Sequence, residues 1–428
     1  MISHKYYFDD KSLPIFVEQI KEAANKAVGD LPSLATDSKT DIVSAINELY
    51  NAMFDVSYVR DMSAWQNSNV TTGYWNNPVE LSDGTLVASG KGIKYSTDKG
   101  ATWQDSNITS SIFNIFVELS DGTLVAGGKG IKYSTDKGAT WQDSNVTSDI
   151  YITIIELSDG TLVAGSYSNS GIKYSTDKGI TWQDSNITSS TFNIFVELSD
   201  GTLVAGGIGI KYSTDKGATW QDSNVTSGNW VTVVKLSDGT LVAGSSNDKG
   251  IKYSTDKGAT WQDSNVTSGN WVTVVKLSDG TLVAGSSNVY GIKYSTDKGA
   301  TWQDSNVTSG NWVAIVKLSD GTLVACSSRD YGIKYSTDKG ITWQDSNVTS
   351  GNFATPVELS DGTLVTSSAS IMYSTDKGVT WQGSNVTSGY WYAPVELSDG
   401  TLVAGGYGNK GIKYCASIQK VTPKWESA

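Results

Sequence analysis

The sequence predicts an all-β protein folded as a closed ring of four-stranded blades, a β-propeller. Three observations carry that expectation. The octet Ser96-Thr97-Asp98-Lys99-Gly100-Ala101-Thr102-Trp103 returns seven more times as the pattern S-T-D-K-G-x-T-W, with its Asp at Asp136, Asp177, Asp215, Asp256, Asp297, Asp338 and Asp376, at intervals of 38 or 41 residues. A fixed period of that size marks a repeat architecture. The run L-S-D-G-T-L-V occurs nine times, from Leu81 to the copy that starts at Leu397. Each unit also divides into four short strand-like runs separated by strong hairpin turns, which is the composition of a propeller blade.

One unit shows the order of its parts. Trp220-Gln221-Asp222-Ser223-Asn224 ends the fourth strand of one blade, and the next begins with Trp230 to Leu236, Thr240 to Ser245 and Gly250 to Ser254. Ser237-Asp238-Gly239 turns the first strand into the second, and the octet turns the third into the fourth. In the octet, Gly100 permits a tight turn after Lys99, and the Asp98 carboxylate is placed to accept hydrogen bonds from turn N–H groups. Burying the Trp103 indole contributes roughly 1.5–3 kcal/mol gross. The eight octet aspartates are therefore read as structural.

The ends of the repeat suggest how the ring closes. Ser63-Ala64-Trp65-Gln66-Asn67-Ser68-Asn69-Val70-Thr71 copies a fourth strand with no octet before it, and the last unit stops after Gly411-Ile412-Lys413-Tyr414, where the octet degenerates to Cys415-Ala416-Ser417. The N-terminal strand then completes the last blade, giving nine four-stranded blades over residues 61–417 and a tail at 418–428. Eight blades, with one terminal unit outside the ring or a strand around Trp425 closing it, is the alternative. Closure removes exposed sheet edges.

Residues 1–60 stand outside the repeat. A helix is expected from Ser12, with Ile15, Phe16, Ile20, Ala23, Ala24 and Ala27 on one face and Gly29 as its stop. A second follows Ser38, capped by Asp41, and its Ile42, Ile46, Leu49 and Met53 have coiled-coil spacing. The region is read as a helical anchoring and oligomerisation segment.

Two resemblances add to this reading. The octet resembles the Asp box, or bacterial neuraminidase repeat, of sialidase-like propellers, in which the motif is a structural staple. The segment from Leu31 to Leu49, carrying Lys39-Thr40-Asp41-Ile42-Val43-Ser44-Ala45-Ile46-Asn47-Glu48-Leu49, resembles a run found in bacteriophage tail-fibre and baseplate proteins. That likeness implies a receptor-binding module joined to other tail or baseplate proteins through residues 1–60, a homotrimer, synthesis in the host bacterial cytoplasm and a final place in the virion.

Composition narrows the function classes. A formal charge of −12 argues against nucleic-acid binding, which needs clustered Lys and Arg. No run of about 18 apolar residues is present to span a membrane, and Met1 to Asp10 lacks the apolar core of a signal peptide. Cys326 and Cys415 each replace a Gly or Ser of the repeat and suggest no disulfide framework. The Asn-x-Thr triplets that begin at Asn69 are read as a repeated strand end or turn.

Variation between units marks the candidate site. The Ser-Asp-Gly and octet turns, both on one side of the disc, barely vary, whereas the loop between second and third strands changes in length and composition. On these variable loops the candidate ligand-binding residues are Tyr167, Asn169, Asn247, Asp248, Tyr290, Arg329, Asp330, Tyr331, Tyr407 and Asn409. Such residues on adaptable loops above a rigid scaffold suit recognition; neutral drift where the fold does not constrain the loop is the alternative. An aromatic also precedes each Leu-Ser-Asp-Gly by six residues; Trp230, Trp271, Trp312 and Trp391 are candidates for stacking on sugars, although an aromatic kept in every blade is more easily explained as packing between blades. No catalytic residue, metal ligand or cofactor is assigned. The sialidase likeness implies an arginine triad, yet the chain has only Arg60 and Arg329, and its one histidine, His4, precedes the ring. The recurring glutamates, replaced by Lys235, Lys276 and Lys317 in three units, are read as a tolerant surface position and not an acid–base pair. The expectation is a non-enzymatic protein that binds a host surface glycan; a structural virion component without a ligand, and a bacterial lectin or adhesin, are the alternatives.

Overall fold

The computed structural model describes residues 54–76 and 78–423; both expected helices, and Trp425, lie outside these. The described residues form nine antiparallel sheets arranged as nine blades, with one two-stranded ribbon beside them. Among them no helix is long and apolar enough to cross a membrane.

Blade five shows the common plan. Its strands are Trp230–Lys235, Leu241–Ser245, Ile251–Ser254 and Gln262–Asp263. The second is buried along its whole length and the fourth is exposed. First strands of neighbouring blades touch one another, so they line the axis while the fourth strands form the rim. A register shift between Trp230 and Thr232 interrupts the inner hairpin, as expected of a bulge that bends a strand where it enters the ring.

Packing occurs between blades. Leu236, Val242 and Ile251 of blade five form one cluster with Trp271, Val274, Leu282, Ala284 and Trp302 of blade six. An equivalent cluster occupies each of the nine joints, the last joining Leu397, Val403 and Ile412 of blade nine to Trp75, Leu86 and Trp103 of blade one. No blade buries its apolar face alone, which is why the repeats stabilise one another.

The octet works as its residue types suggest. In blade five Asp256 accepts the Thr260 N–H at 2.9 Å, the Thr260 hydroxyl at 2.6 Å and the Ser254 hydroxyl at 2.9 Å. Burial pushes the Asp256 carboxyl upward, but these bonds outweigh it and hold it below the usual range. The octet Gly has two reasons to be Gly: Gly299 has φ +88°, and a Cβ there would stand 2.7 Å from Val242 of the preceding blade.

Polar ties cross every joint. Asn265 accepts the Trp302 N–H at 2.8 Å and donates to the Trp302 carbonyl at 2.9 Å. The same exchange recurs at all nine joints and ends with Asn385 on Trp65. The Asn-x-Thr triplets are thus joint ties, a sharper role than a strand end. At eight joints the octet lysine pairs with the Ser-Asp-Gly aspartate of the preceding blade, as Lys339 does with Asp279 at 2.7 Å. The glutamates read as a tolerant surface position are specific partners at five joints: Glu358 accepts both the N–H and the hydroxyl of Ser319 at 2.7 Å.

Closure follows the nine-blade expectation. Gln66–Asn67 pairs with Ile412–Cys415 as the fourth strand of blade nine, whose innermost strand is split into Tyr390–Trp391 and Val395–Glu396. Two boundaries need correction. Phe54–Arg60, assigned to the helical region, and Ser417–Pro423, of which all but Ser417 was assigned to a tail, pair as an antiparallel ribbon from Phe54↔Pro423 to Arg60↔Ser417. The alternation in Phe54-Asp55-Val56-Ser57-Tyr58 carries this period-two signal. The ribbon replaces the octet turn of blade nine, and Arg60 replaces its lysine: the guanidinium reaches Asp361 of blade eight at 2.7 Å and also bonds Glu396.

Candidate functional site

The ring has two unlike faces. The turn face carries the Ser-Asp-Gly and octet turns and is tied by the repeated ion pairs described above. The opposite face carries the second-to-third-strand loops and the connections between blades, where the sequence places its candidates.

Several candidates serve the fold. Asn169, Asp248, Asp330 and Asn409 all adopt positive φ, between 60° and 70°. Each turns its side-chain oxygen to a backbone N–H of the adjoining inter-blade connection: Asn169 to Ser190 at 2.6 Å, Asp248 to Gly269 at 2.5 Å, Asp330 to Gly351 at 2.8 Å and Asn409 to Gly73 at 2.6 Å. Asn and Asp tolerate the left-handed region and bond locally, which explains their choice. Asn247 likewise accepts the Asn229 N–H at 2.8 Å and the Ser245 hydroxyl at 2.7 Å. These five residues brace the loops.

The indoles of Trp230, Trp271, Trp312 and Trp391 have relative exposures of 0, 0, 1 and 6%. Packing between blades, the simpler reading of an aromatic kept in every unit, is the one observed, and the stacking candidates are corrected: a sugar has no open ring face there. Each indole N–H is satisfied by the carbonyl three residues earlier, as Trp230 is by Ser227 at 3.0 Å. A large apolar ring at the blade entry is worth more inside the joint than on its surface.

The candidates that remain open on this face are four tyrosines and an arginine, beside exposed Val289, Ile112, Ile150 and Ile208. Tyr167, Tyr290, Tyr331 and Tyr407 are 61, 37, 45 and 55% exposed, and Arg329 is exposed beside Tyr331. Tyr290 and Tyr331 lean on the buried Trp271 and Trp312, with ring centroids 6.3 and 6.2 Å apart. The Tyr290 hydroxyl reaches Asp248 at 3.5 Å, so the loops of blades five and six touch.

The densest grouping lies at the seam of blades nine and one, and Tyr407 is its one member among the candidates expected from the sequence. Tyr407 stands directly across from Tyr390, which is 64% exposed. Tyr74 packs edge-on against Tyr407 at 5.4 Å and Tyr392 at 6.1 Å. Its hydroxyl lies 2.7 Å from that of Tyr392 and donates to Asn76 at 2.8 Å. Burial, reinforced by the Tyr74 hydroxyl, pushes the Tyr392 phenol well above its ordinary range, so it stays protonated as a donor. A signal was available: Tyr74 and Tyr390 stand where other units carry Asn229, Asn270, Asn311 and Asn352. In those units the Asn ties the adjoining loop, as Asn270 does to the Asp248 N–H at 2.6 Å and Asn352 to that of Asp330 at 2.8 Å. The seam exchanges that tie for aromatic surface. Edge-on tyrosines with exposed faces and fixed hydroxyls can stack on a ring and hydrogen-bond its substituents. Among the described residues no group of three or more His, Cys, Asp and Glu could hold a metal ion.

No family model matches the chain, and no curated protein is significantly similar to it in sequence. Solved structures with a similar fold include the computationally designed Ika8 protein, at 11% identity and a TM-score of 0.53 over 82% of this chain and 98% of that one. They also include YCF48 bound to D1 peptide, at 18% identity and a TM-score of 0.41 over 60% and 89% of the two chains. Virginiamycin B lyase from Staphylococcus aureus, in a catalytically inactive form with quinupristin, is similar at 13% identity and a TM-score of 0.43 over 85% and 99%. At these identities the likeness concerns the β-propeller fold alone, and enzymes and non-enzymes share that fold.

Proposed function

We propose that this chain is a bacteriophage tail-fibre or baseplate receptor-binding protein, an Asp-box propeller whose variable face takes a host surface polysaccharide without catalysis. The observation that carries the reading is the tyrosine cluster in which exposed Tyr390 and Tyr407 stand against half-buried Tyr74 and Tyr392, on the face where the loops differ in length and composition. The N-terminal likeness to tail proteins supports the virion assignment. So does the placement of the ribbon: Arg60 is bound to the turn face through Asp361, so the chain enters the ring from the side opposite the tyrosines. Other phage proteins then engage the region before the ribbon, the protein assembles as a trimer, and the variable face points outward.

The test is attachment of labelled full-length protein to a panel of bacteria before and after surface polysaccharide is stripped. Saturable binding to a narrow set of strains, lost on stripping, is expected. Tyr390→Ala with Tyr407→Ala should weaken attachment at least tenfold while leaving the thermal midpoint within a few degrees. Binding to no strain by a folded protein would favour a structural virion part, and unchanged binding by the double variant would move the site off the seam.

A further inference from the structure

The five glutamate ties on the turn face define a receptor for a carboxylate. Two donors of one Ser-Asp-Gly turn, the serine N–H and hydroxyl, each meet one oxygen of the carboxylate: Glu197 takes those of Ser158 at 3.0 and 2.7 Å, and Glu396 takes those of Ser360 at 2.7 and 2.6 Å. In three consecutive blades the glutamate is replaced by Lys235, Lys276 and Lys317. An ammonium has no acceptor to offer. Ser199, Ser237 and Ser278 therefore offer the same donors, and the residue of the next blade at the glutamate's position is a lysine. The clearest case is the joint of blades six and seven, where Ser278 and Lys317 line one cavity of about 590 Å3 together with Lys339 and Lys377. Those two octet lysines pair with Asp279 and Asp320, whereas Lys317 has no ion pair among the described residues.

We propose that the joints of blades four to seven form a row of three carboxylate sites, which take acidic side chains of a protein segment lying across the turn face. The group already seated on these donors at five other joints is a glutamate side chain, so that chemistry fits by demonstration within the molecule. Repetition at one-blade intervals suits a segment with several acidic residues. Each exposed contact is worth little alone, but linked contacts reinforce one another. The ribbon that leads to the N-terminal region stands on this same face, so a protein joined to that region has the row within its approach.

The experiment uses the full-length protein and a fluorescent ten-residue oligoglutamate at low and high salt. Binding that weakens with salt is expected, with at least a tenfold loss in the K235E/K276E/K317E variant. Each substitution installs the residue other blades carry, so the variant should keep the wild-type thermal midpoint or exceed it. A charge-matched control on the opposite face, K91E/K129E/K249E, should bind like the wild type. Three results overturn the proposal: no oligoglutamate binding at low salt, equal losses in the two triple variants, or tighter binding of a ten-residue alginate, which would assign the row to uronate sugars.

Discussion

At the residue scale, repetition turns single atoms into controls for one another. The indole N–H of each octet Trp donates to the octet Gly carbonyl, as in Trp302 to Gly299 at 3.0 Å. Trp65 has no octet, and its indole N–H is without a partner among the described residues. Tyr151 is a second exception, its hydroxyl buried and unpaired at a position where blades two, four and eight carry Phe. An orphaned buried hydroxyl costs about 1–3 kcal/mol, so Tyr151→Phe should stabilise the protein by about 1 kcal/mol in urea denaturation; a loss of stability would show that the hydroxyl has a partner. Asn265→Ala should act in the opposite direction. It orphans both the N–H and the carbonyl of Trp302, at a cost of about 1–3 kcal/mol, whereas the exposed Asn288 should tolerate alanine with little change.

At the scale of elements, pairs of positions change together. The third-strand lysine pairs with a fourth-strand aspartate in seven blades, as Lys293 does with Asp304. Blade eight has Met372 opposite Gly383 in that register, and blade nine has Lys413 donating to Asn67 at 2.6 Å. Joints show a pH dependence of definite sign. The lysine of the next blade holds Asp121, Asp159, Asp200, Asp238 and Asp279 down at about 2, below the unfolded value of about 3.9. A depressed carboxyl stabilises the fold above its unfolded pKa, and that contribution is lost as pH falls from about 4 through 2. The thermal midpoint should decline over that window. Added salt should shrink the decline, since these pairs are exposed and screened; an unchanged midpoint down to pH 2 would remove the pairs from the account of joint stability.

The whole molecule depends on a closure made differently from the other joints. Arg60 comes from outside the repeat, is almost fully buried and spans blades eight and nine. Breaking a buried pair costs about 3–5 kcal/mol. Because Asp361 keeps 27% of its side chain exposed, Arg60→Ala should cost about 2 kcal/mol, and Arg60→Lys, which imitates the octet lysine, should recover part of it. The same contact fixes where the chain can be cut. Removing residues 1–53 should leave the ring as stable as the intact protein and, on the assembly proposed above, lower the sedimenting mass from trimer to monomer, whereas removing 1–60 should also destabilise the ring. A trimeric 54–428 fragment would place the assembly contacts in the propeller.

The sequence by itself determined the all-β ring and favoured nine blades over eight, with the N-terminal strand completing the last; the observed pairing of Gln66–Asn67 with Ile412–Cys415 decided the number. The ring and that preference follow from local turn chemistry and from a pattern repeated so often that each copy confirms the next. It also separated the constant face from the variable one, because turns that must adopt one backbone conformation tolerate few residue types. Only the tertiary structure decided what individual side chains do there. Asn169, Asp248, Asp330 and Asn409 have the composition of a binding loop and spend their oxygens on backbone N–H groups of neighbouring connections. The entry tryptophans have the composition of a sugar platform and lie inside the joints. Tyr74 and Tyr407 are separated by most of the chain and meet only because the ring closes. Composition states which bonds a residue can make, and the geometry of closure decides which groups come near enough to make them.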